Sequence, residues 1–171
     1  MSGQSDTRAL VSLTLSFQPL AEQIGSLRNA VSDLCKPYLT DPDQLSRVLL
    51  AAHELLENIV KYSIGGVAEF HVTLDTPDAS DGRIRVRLRT KNCAHPERLS
   101  DARTRLDALA AAPDPIAHYD ELIRASAGRR DVSGLGLARI PAESEMRLRY
   151  AMDQEWLVLT AEAEAQRTGT R

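Results

Sequence analysis

The sequence predicts an α/β two-layer sandwich, with helices on one face of a mixed, mostly antiparallel sheet. Three observations carry that prediction. Short stretches of apolar–polar alternation recur near the start, in the middle and at the end of the chain. Between them lie longer stretches whose apolar residues repeat at helical spacing. The order of the two, β α α β β (α α) α β β, groups strands into neighbouring pairs and helices into blocks. That grouping is the mark of helices packed beside an antiparallel sheet.

The elements follow in order. "RALVSLTLSF" at residues 8–17 puts Leu13, Leu15 and Phe17 on one side and Ser12, Thr14 and Ser16 on the other, a half-buried strand. Pro19 opens a helix at a position where proline is tolerated. Ile24, Leu27, Val31 and Leu34 continue it, and Pro37 ends it. "TDPDQL" is a helix start, with Thr40 or Asp41 as cap, Pro42 in the first turn and acids favourable to the dipole. The helix carries Leu45, Val48, Leu49, Ala52, Leu55, Leu56 and Ile59, and "IGG" stops it after Tyr62. "AEFHVTLDT" and "GRIRVRLRT" are strands joined by the turn "PDASDG". Residues 97–127 form two helical segments separated by "APDP". "AGRRDVSGLGLARI" is a glycine-containing loop running into a short helix that Pro141 limits. "MRLRYAM" and "EWLVLTAEA" close the chain as a hairpin turning near "DQ".

With 171 residues, of which 43% are apolar, the chain is one domain with a full core. The core spans about residues 8–163, and the polar stretch 164–171 is expected to fray. Basic and acidic residues number 21 and 24, a net charge of −3, which argues against a nucleic-acid partner and offers no polybasic membrane patch. The arginine row of "GRIRVRLRT" is the solvated face of a half-buried strand. No apolar run reaches the roughly 18 residues of a membrane-spanning helix. The opening "MSGQSDTRAL" has no apolar signal core, so a cytoplasmic location is expected. Cys35 and Cys93 are isolated and read as reduced thiols. His53, His71, His95 and His118 are scattered and make no zinc constellation.

Two stretches carry chemistry. In "HELLENIVKYS", residues 53–63, Glu54 and Asn58 stand one helical turn apart on a shared face, with Lys61 three residues on. An asparagine carbonyl suits magnesium, which takes one or two protein oxygens and keeps several waters. A glutamate one turn away is placed to orient or deprotonate a hydroxyl, and a lysine to meet a phosphate. Taken alone, the same residues also make an ordinary helix surface, with Glu57 and Lys61 as an i,i+4 pair. In "SGLGLARI", residues 133–140, Gly134 and Gly136 let the backbone approach a ligand, ahead of a helix presenting free N–H groups. Alone it is equally a glycine-rich helix entry.

Together the two stretches resemble the N box and the G2 box of the GHKL superfamily, the histidine kinase-like ATPases with the Bergerat fold. "LLENIVKYS" matches the N box at Glu54, Asn58, Lys61, Tyr62 and Ser63. "SGLGLARI" matches the G2 box, with Val132 in place of the first glycine and Gly134 and Gly136 kept. The N-terminal strand, the helix starting near Phe17 and the N-box helix resemble the small anti-sigma factor and partner-switching serine/threonine kinases. The resemblance covers about residues 8–163.

It implies ATP and magnesium as cofactors, with Asn58 as the magnesium ligand. Glu54 would be the general base or position the attacking hydroxyl, and Lys61 would approach phosphate. Ser133, Gly134, Leu135, Gly136 and Leu137 would wrap the phosphates with backbone N–H groups. Residues 97–132 take the place of the family's nucleotide lid and are expected to be the mobile part. The G1 box, D-x-G-x-G, is degenerate: Asn92, Ala94 and Pro96 stand where aspartate and two glycines belong. Asn92 would then accept the hydrogen bond from the adenine amino group, without the charge of an aspartate. Pro96 removes a donor and a hinge. The implied partner is a small protein, either phosphorylated on Ser or Thr or sequestered without catalysis, and a homodimer is left open.

Overall fold

The computed structural model describes residues 8–76, 82–127 and 134–166. Strands β1 (Arg8–Phe17), β2 (Ala68–Thr76), β3 (Arg83–Cys93), β4 (Arg147–Asp153) and β5 (Trp156–Gln166) form one sheet in the order β1-β2-β3-β5-β4. Helices α1 (Ile24–Cys35), α2 (Pro42–Tyr62), α3 (Pro96–Ala111), α4 (Pro115–Ser126) and α5 (Leu135–Arg139) complete the second layer. The two-layer sandwich is therefore as expected. All the described strand pairings are antiparallel, so no parallel pair makes the sheet mixed among the described residues. The reason lies in the connections: hairpins and helix pairs both return the chain so that each strand enters against its neighbour.

Alternation decides which face the helices cover. On β2 and β3, Phe70, Val72, Leu74, Ile84, Val86 and Leu88 are fully buried. They meet Leu55, Leu56 and Ile59 of α2 in one apolar cluster. Each such side chain contributes about 1.5–3 kcal/mol through burial. Asp41 caps α2 by accepting a hydrogen bond from the Asp43 N–H at 3.0 Å, with Pro42 in the first turn. At the other end the Ser63 N–H and Oγ both donate to the Ile59 carbonyl, at 3.0 and 2.7 Å.

The opposite face holds the arginine row, and β5 answers it with acids. Arg83 reaches Glu164 at 3.1 Å and Arg87 reaches Glu162 at 2.8 Å, while Asp75 lies 3.8 Å from both Arg85 and Arg87. Cross-strand register explains the match, since Arg87 pairs with Glu162 and Arg85 with Glu164.

Three boundaries differ from the sequence expectation. Residues 164–166 do not fray: β5 runs to Gln166, opposite Arg83, because the alternation of "AEAEA" keeps Ala161 and Ala163 toward the helices. β3 continues past Thr90 to Cys93. Pro141 does not end the short helix. The chain passes from α5 into a wider helical turn, Ile140–Ser144, where proline sits in the first turn and its missing N–H is not needed. Glu145, at φ 57°, ends that turn. Among the described residues no helix is long and apolar enough to cross a membrane.

Candidate functional site

The site is built on the last two turns of α2. Leu55, Leu56 and Ile59 anchor that helix in the core, which fixes where its polar residues point. Asn58 and Tyr62 open onto a small pocket of about 90 Å³. The other walls are Ala94 and Leu157 from the sheet end, Leu99 and Ala102 with the polar Arg98, Asp101 and Arg105 from α3, and Gly134 and Leu137 from the glycine loop and α5. That volume is below the roughly 300–1,000 Å³ of pockets for small ligands and cofactors, so a nucleotide would enter only as the walls move apart. Residues from both sequence stretches thus share one cavity, although they are far apart in the chain.

Asn58 is only 8% exposed, and its Oδ1 takes no hydrogen bond among the described residues. A buried carbonyl oxygen without a donor is costly unless something else satisfies it. A cation does so. No three His, Cys, Asp or Glu residues converge as a metal cage among the described residues. Magnesium on Asn58 would therefore draw its other ligands from phosphate and water, as that ion commonly does.

Gly134 is the N-cap of α5 and takes φ 108°, a left-handed conformation that strains any residue with a Cβ. Its open side is covered by the Arg105 side chain: a Cβ there would lie 3.1 Å from Arg105 Cδ. Gly136 faces the other way. A Cβ on it would collide with Glu54 Oε2.

No family model and no curated protein matches the chain. Among solved structures it is similar to a chain in the crystal structure of the SiaB–SiaC complex from Pseudomonas aeruginosa. The TM-score is 0.67 at 19% identity, covering 91% of this chain and 90% of that one. At that identity the likeness shows the fold. This chain shares the fold of a chain in that complex over nearly its whole length.

Glu54 is 7% exposed, one helical turn before Asn58, and packs against Gly136; neither residue is among those that line the pocket. Its Oε1 accepts a hydrogen bond from Arg139 Nη1 at 3.0 Å, and Arg139 Nε donates to Glu143 Oε2 at 2.7 Å. Burial pushes the Glu54 carboxyl above the usual carboxylate range, and the Arg139 guanidinium pulls it part of the way back. Tyr119 on α4 stands in the field of Glu143, Arg139 and Glu54. Burial first, then Glu143, raises its hydroxyl.

The remaining expected residues divide. Leu137 lines the pocket, while Leu135 opens α5 half-exposed. Ser133, with Val132 and the rest of 128–133, lies outside the described residues. Lys61 is exposed and is not among the lining residues; its ammonium rests 5.4 Å from the Tyr62 ring centroid. The surface pair expected between Glu57 and Lys61 is not formed. Glu57 Oε1 lies 3.1 Å from His53 Nε2 instead, one turn in the other direction.

Asn92 is 1% exposed on β3, opposite Leu157, which lines the pocket. Its Oδ1 takes no hydrogen bond among the described residues, nor does Thr90 Oγ1 two residues earlier. Asn92 Nδ2 makes only a long contact to the Cys93 carbonyl, 3.5 Å. Pro96 is the first residue of α3, so the chain leaves the sheet directly into a helix. The segment expected to be mobile is helical over α3 and α4.

The pocket's cations are Arg98 and Arg105, which the sequence did not single out. They stand seven apart with Asp101 and Ala102 between them, one face of α3. On a sequence alone such a stripe reads as a solvated helix face.

Proposed function

We propose that this chain is a GHKL-type protein that binds magnesium ATP and transfers the γ-phosphoryl group to a serine or threonine hydroxyl of a small protein partner. The observation that carries this reading is the single pocket shared by Asn58, Gly134, Leu137 and Ala94, with Glu54 one helical turn before Asn58 and packed against Gly136. That juxtaposition is what the N and G2 boxes require of each other. The complex of two proteins in which the structural neighbour was solved supports a protein partner.

Asn58 Oδ1 would hold the magnesium. Arg98 and Arg105 would neutralise phosphate charge, the main task in phosphoryl transfer. Gly134 would let the backbone come close, and Asn92 Oδ1 and Thr90 would face the base end. When bound, magnesium ATP supplies the electrophilic γ-phosphorus. The acceptor hydroxyl gives its proton to Glu54 as its oxygen bonds that phosphorus. The bond to the β-phosphate oxygen breaks, and ADP leaves with the electron pair.

A second reading is favoured by one observation. Asn92, Ala94 and Pro96 replace the three family positions of the adenine loop, and Arg105 already lies across Gly134. A module that no longer turns over nucleotide and sequesters its partner would look like this. Calorimetric titration with ATP and magnesium separates the two. Binding, followed by radiolabel from γ-labelled ATP on Ser or Thr of a co-purifying small protein, supports the kinase. No heat at millimolar ATP retires it and leaves the sequestering module.

A further inference from the structure

We infer that Arg139 is the positioning residue for Glu54: it holds one carboxylate oxygen so that the other is left to take the proton of the attacking hydroxyl. This rests on the phosphoryl-transfer reading of the same site. The geometry is asymmetric at every point. Arg139 Nη1 donates to Glu54 Oε1 at 3.0 Å. Oε2 lies over Gly136, where a Cβ would strike it. Oε2 takes no hydrogen bond from a described residue, and the further charges that act on Glu54 are its own helix's His53 and Glu57. The two oxygens thus have different environments: one is held by a guanidinium, while the other faces glycine backbone with its lone pairs unspent.

The guanidinium is itself fixed. Its Nε donates to Glu143 Oε2 at 2.7 Å, on the helical turn that Pro141 would have been expected to prevent. That turn keeps Glu143 one turn beyond Arg139, so Glu143, Arg139 and Glu54 form a line from the surface inward. Side-chain exposure falls along it, from 41% for Glu143 and 39% for Arg139 to 8% for Glu54. Planar, two-sided donation of this kind is a property of arginine that lysine reproduces only in part. A carboxylate buried like Glu54 needs a charged partner to remain a base, and Arg139 is the cation in contact with it. Arg139 therefore acts through Glu54 and does not touch nucleotide.

The test uses water as the acceptor, so no partner protein is required. Hydrolysis of magnesium ATP follows the same balance: water oxygen bonds the γ-phosphorus, its proton goes to Glu54 Oε2, and ADP and phosphate leave. The wild-type chain, Arg139→Met, Arg139→Lys and Glu143→Gln are compared for kcat, KM and calorimetric Kd for ATP, with thermal melting to confirm folding. The expected result for Arg139→Met is kcat lowered about 10- to 100-fold with KM and Kd unchanged, since misplacing a reacting group by about 1 Å costs up to roughly 100-fold. Arg139→Lys recovers part of kcat, and Glu143→Gln loses less than Arg139→Met. Unchanged kcat in folded Arg139→Met overturns the inference alone. A raised KM and Kd with unchanged kcat overturns it in favour of a phosphate contact. Wild-type protein that binds ATP without hydrolysing it removes the base role of Glu54 and the inference together, while absence of binding removes the kinase reading itself.

Discussion

The Glu54 carboxylate is seated on the backbone of Gly136, so close that a methyl group could not stand between them. The two sequence stretches are therefore coupled by contact as well as by a shared pocket. Gly136→Ala should destabilise the fold by about 1–3 kcal/mol, the usual cost of overpacking. In a Glu54→Ala background the space is vacated and the cost should shrink. Chemical denaturation of the single and double variants gives the coupling energy, expected at about 0.5–3 kcal/mol for residues in contact. Additive effects would place the two apart.

Asn58→Ala should abolish magnesium-dependent ATP binding while leaving stability within about 1 kcal/mol of wild type. Its Oδ1 is buried without a donor, so removing it relieves as much as it loses. Asn58→Asp keeps the size but adds a charge beside the phosphates. Titrations with ATP in magnesium and in EDTA measure both. Magnesium-dependent binding that survives Asn58→Ala would take the metal away from this residue.

Arg105→Ala should weaken ATP binding about 10- to 100-fold, the value of one charge-assisted hydrogen bond. The loss should shrink in high salt, because the interaction is partly exposed. Tighter binding in the variant would show instead that Arg105, lying across Gly134, obstructs the pocket.

Much of this fold was legible in the sequence because its signals are local. Strict alternation placed β1 and β2 at their observed bounds, and Asp41 with Pro42 marked the start of α2. The ends of β5 and α5 were not legible, for a tertiary reason. "AEAEA" reads as a polar tail until β3 offers Arg83, Arg85 and Arg87 as partners for its glutamates. Pro141 reads as a stop until a wider turn absorbs it. The pocket was legible through Asn58 and Gly134, whose residue types chemistry restricts. Arg98, Arg105 and Arg139 were hidden, because an arginine on a helix says nothing of what faces it. Lys61 shows the converse: its place in the sequence stretch did not bring it to the pocket wall.

Cys35 offers a test of the core that is independent of nucleotide. It is fully buried in α1, and burial pushes its thiol up to about 12. In the unfolded chain the thiol ionises near about 8.5. Between those values the folded state keeps a proton that the unfolded state has lost. The unfolded state binds fewer protons, so stability falls as pH rises through this window. The slope from this one group approaches about 1.4 kcal/mol per pH unit. Cys35→Ala removes it, and contributions common to both proteins cancel in the difference. Urea denaturation at pH 7.5, 9 and 10.5 should therefore show the variant gaining on wild type as pH rises. A difference that stays constant across that range would mean that Cys35 reaches solvent in the folded state.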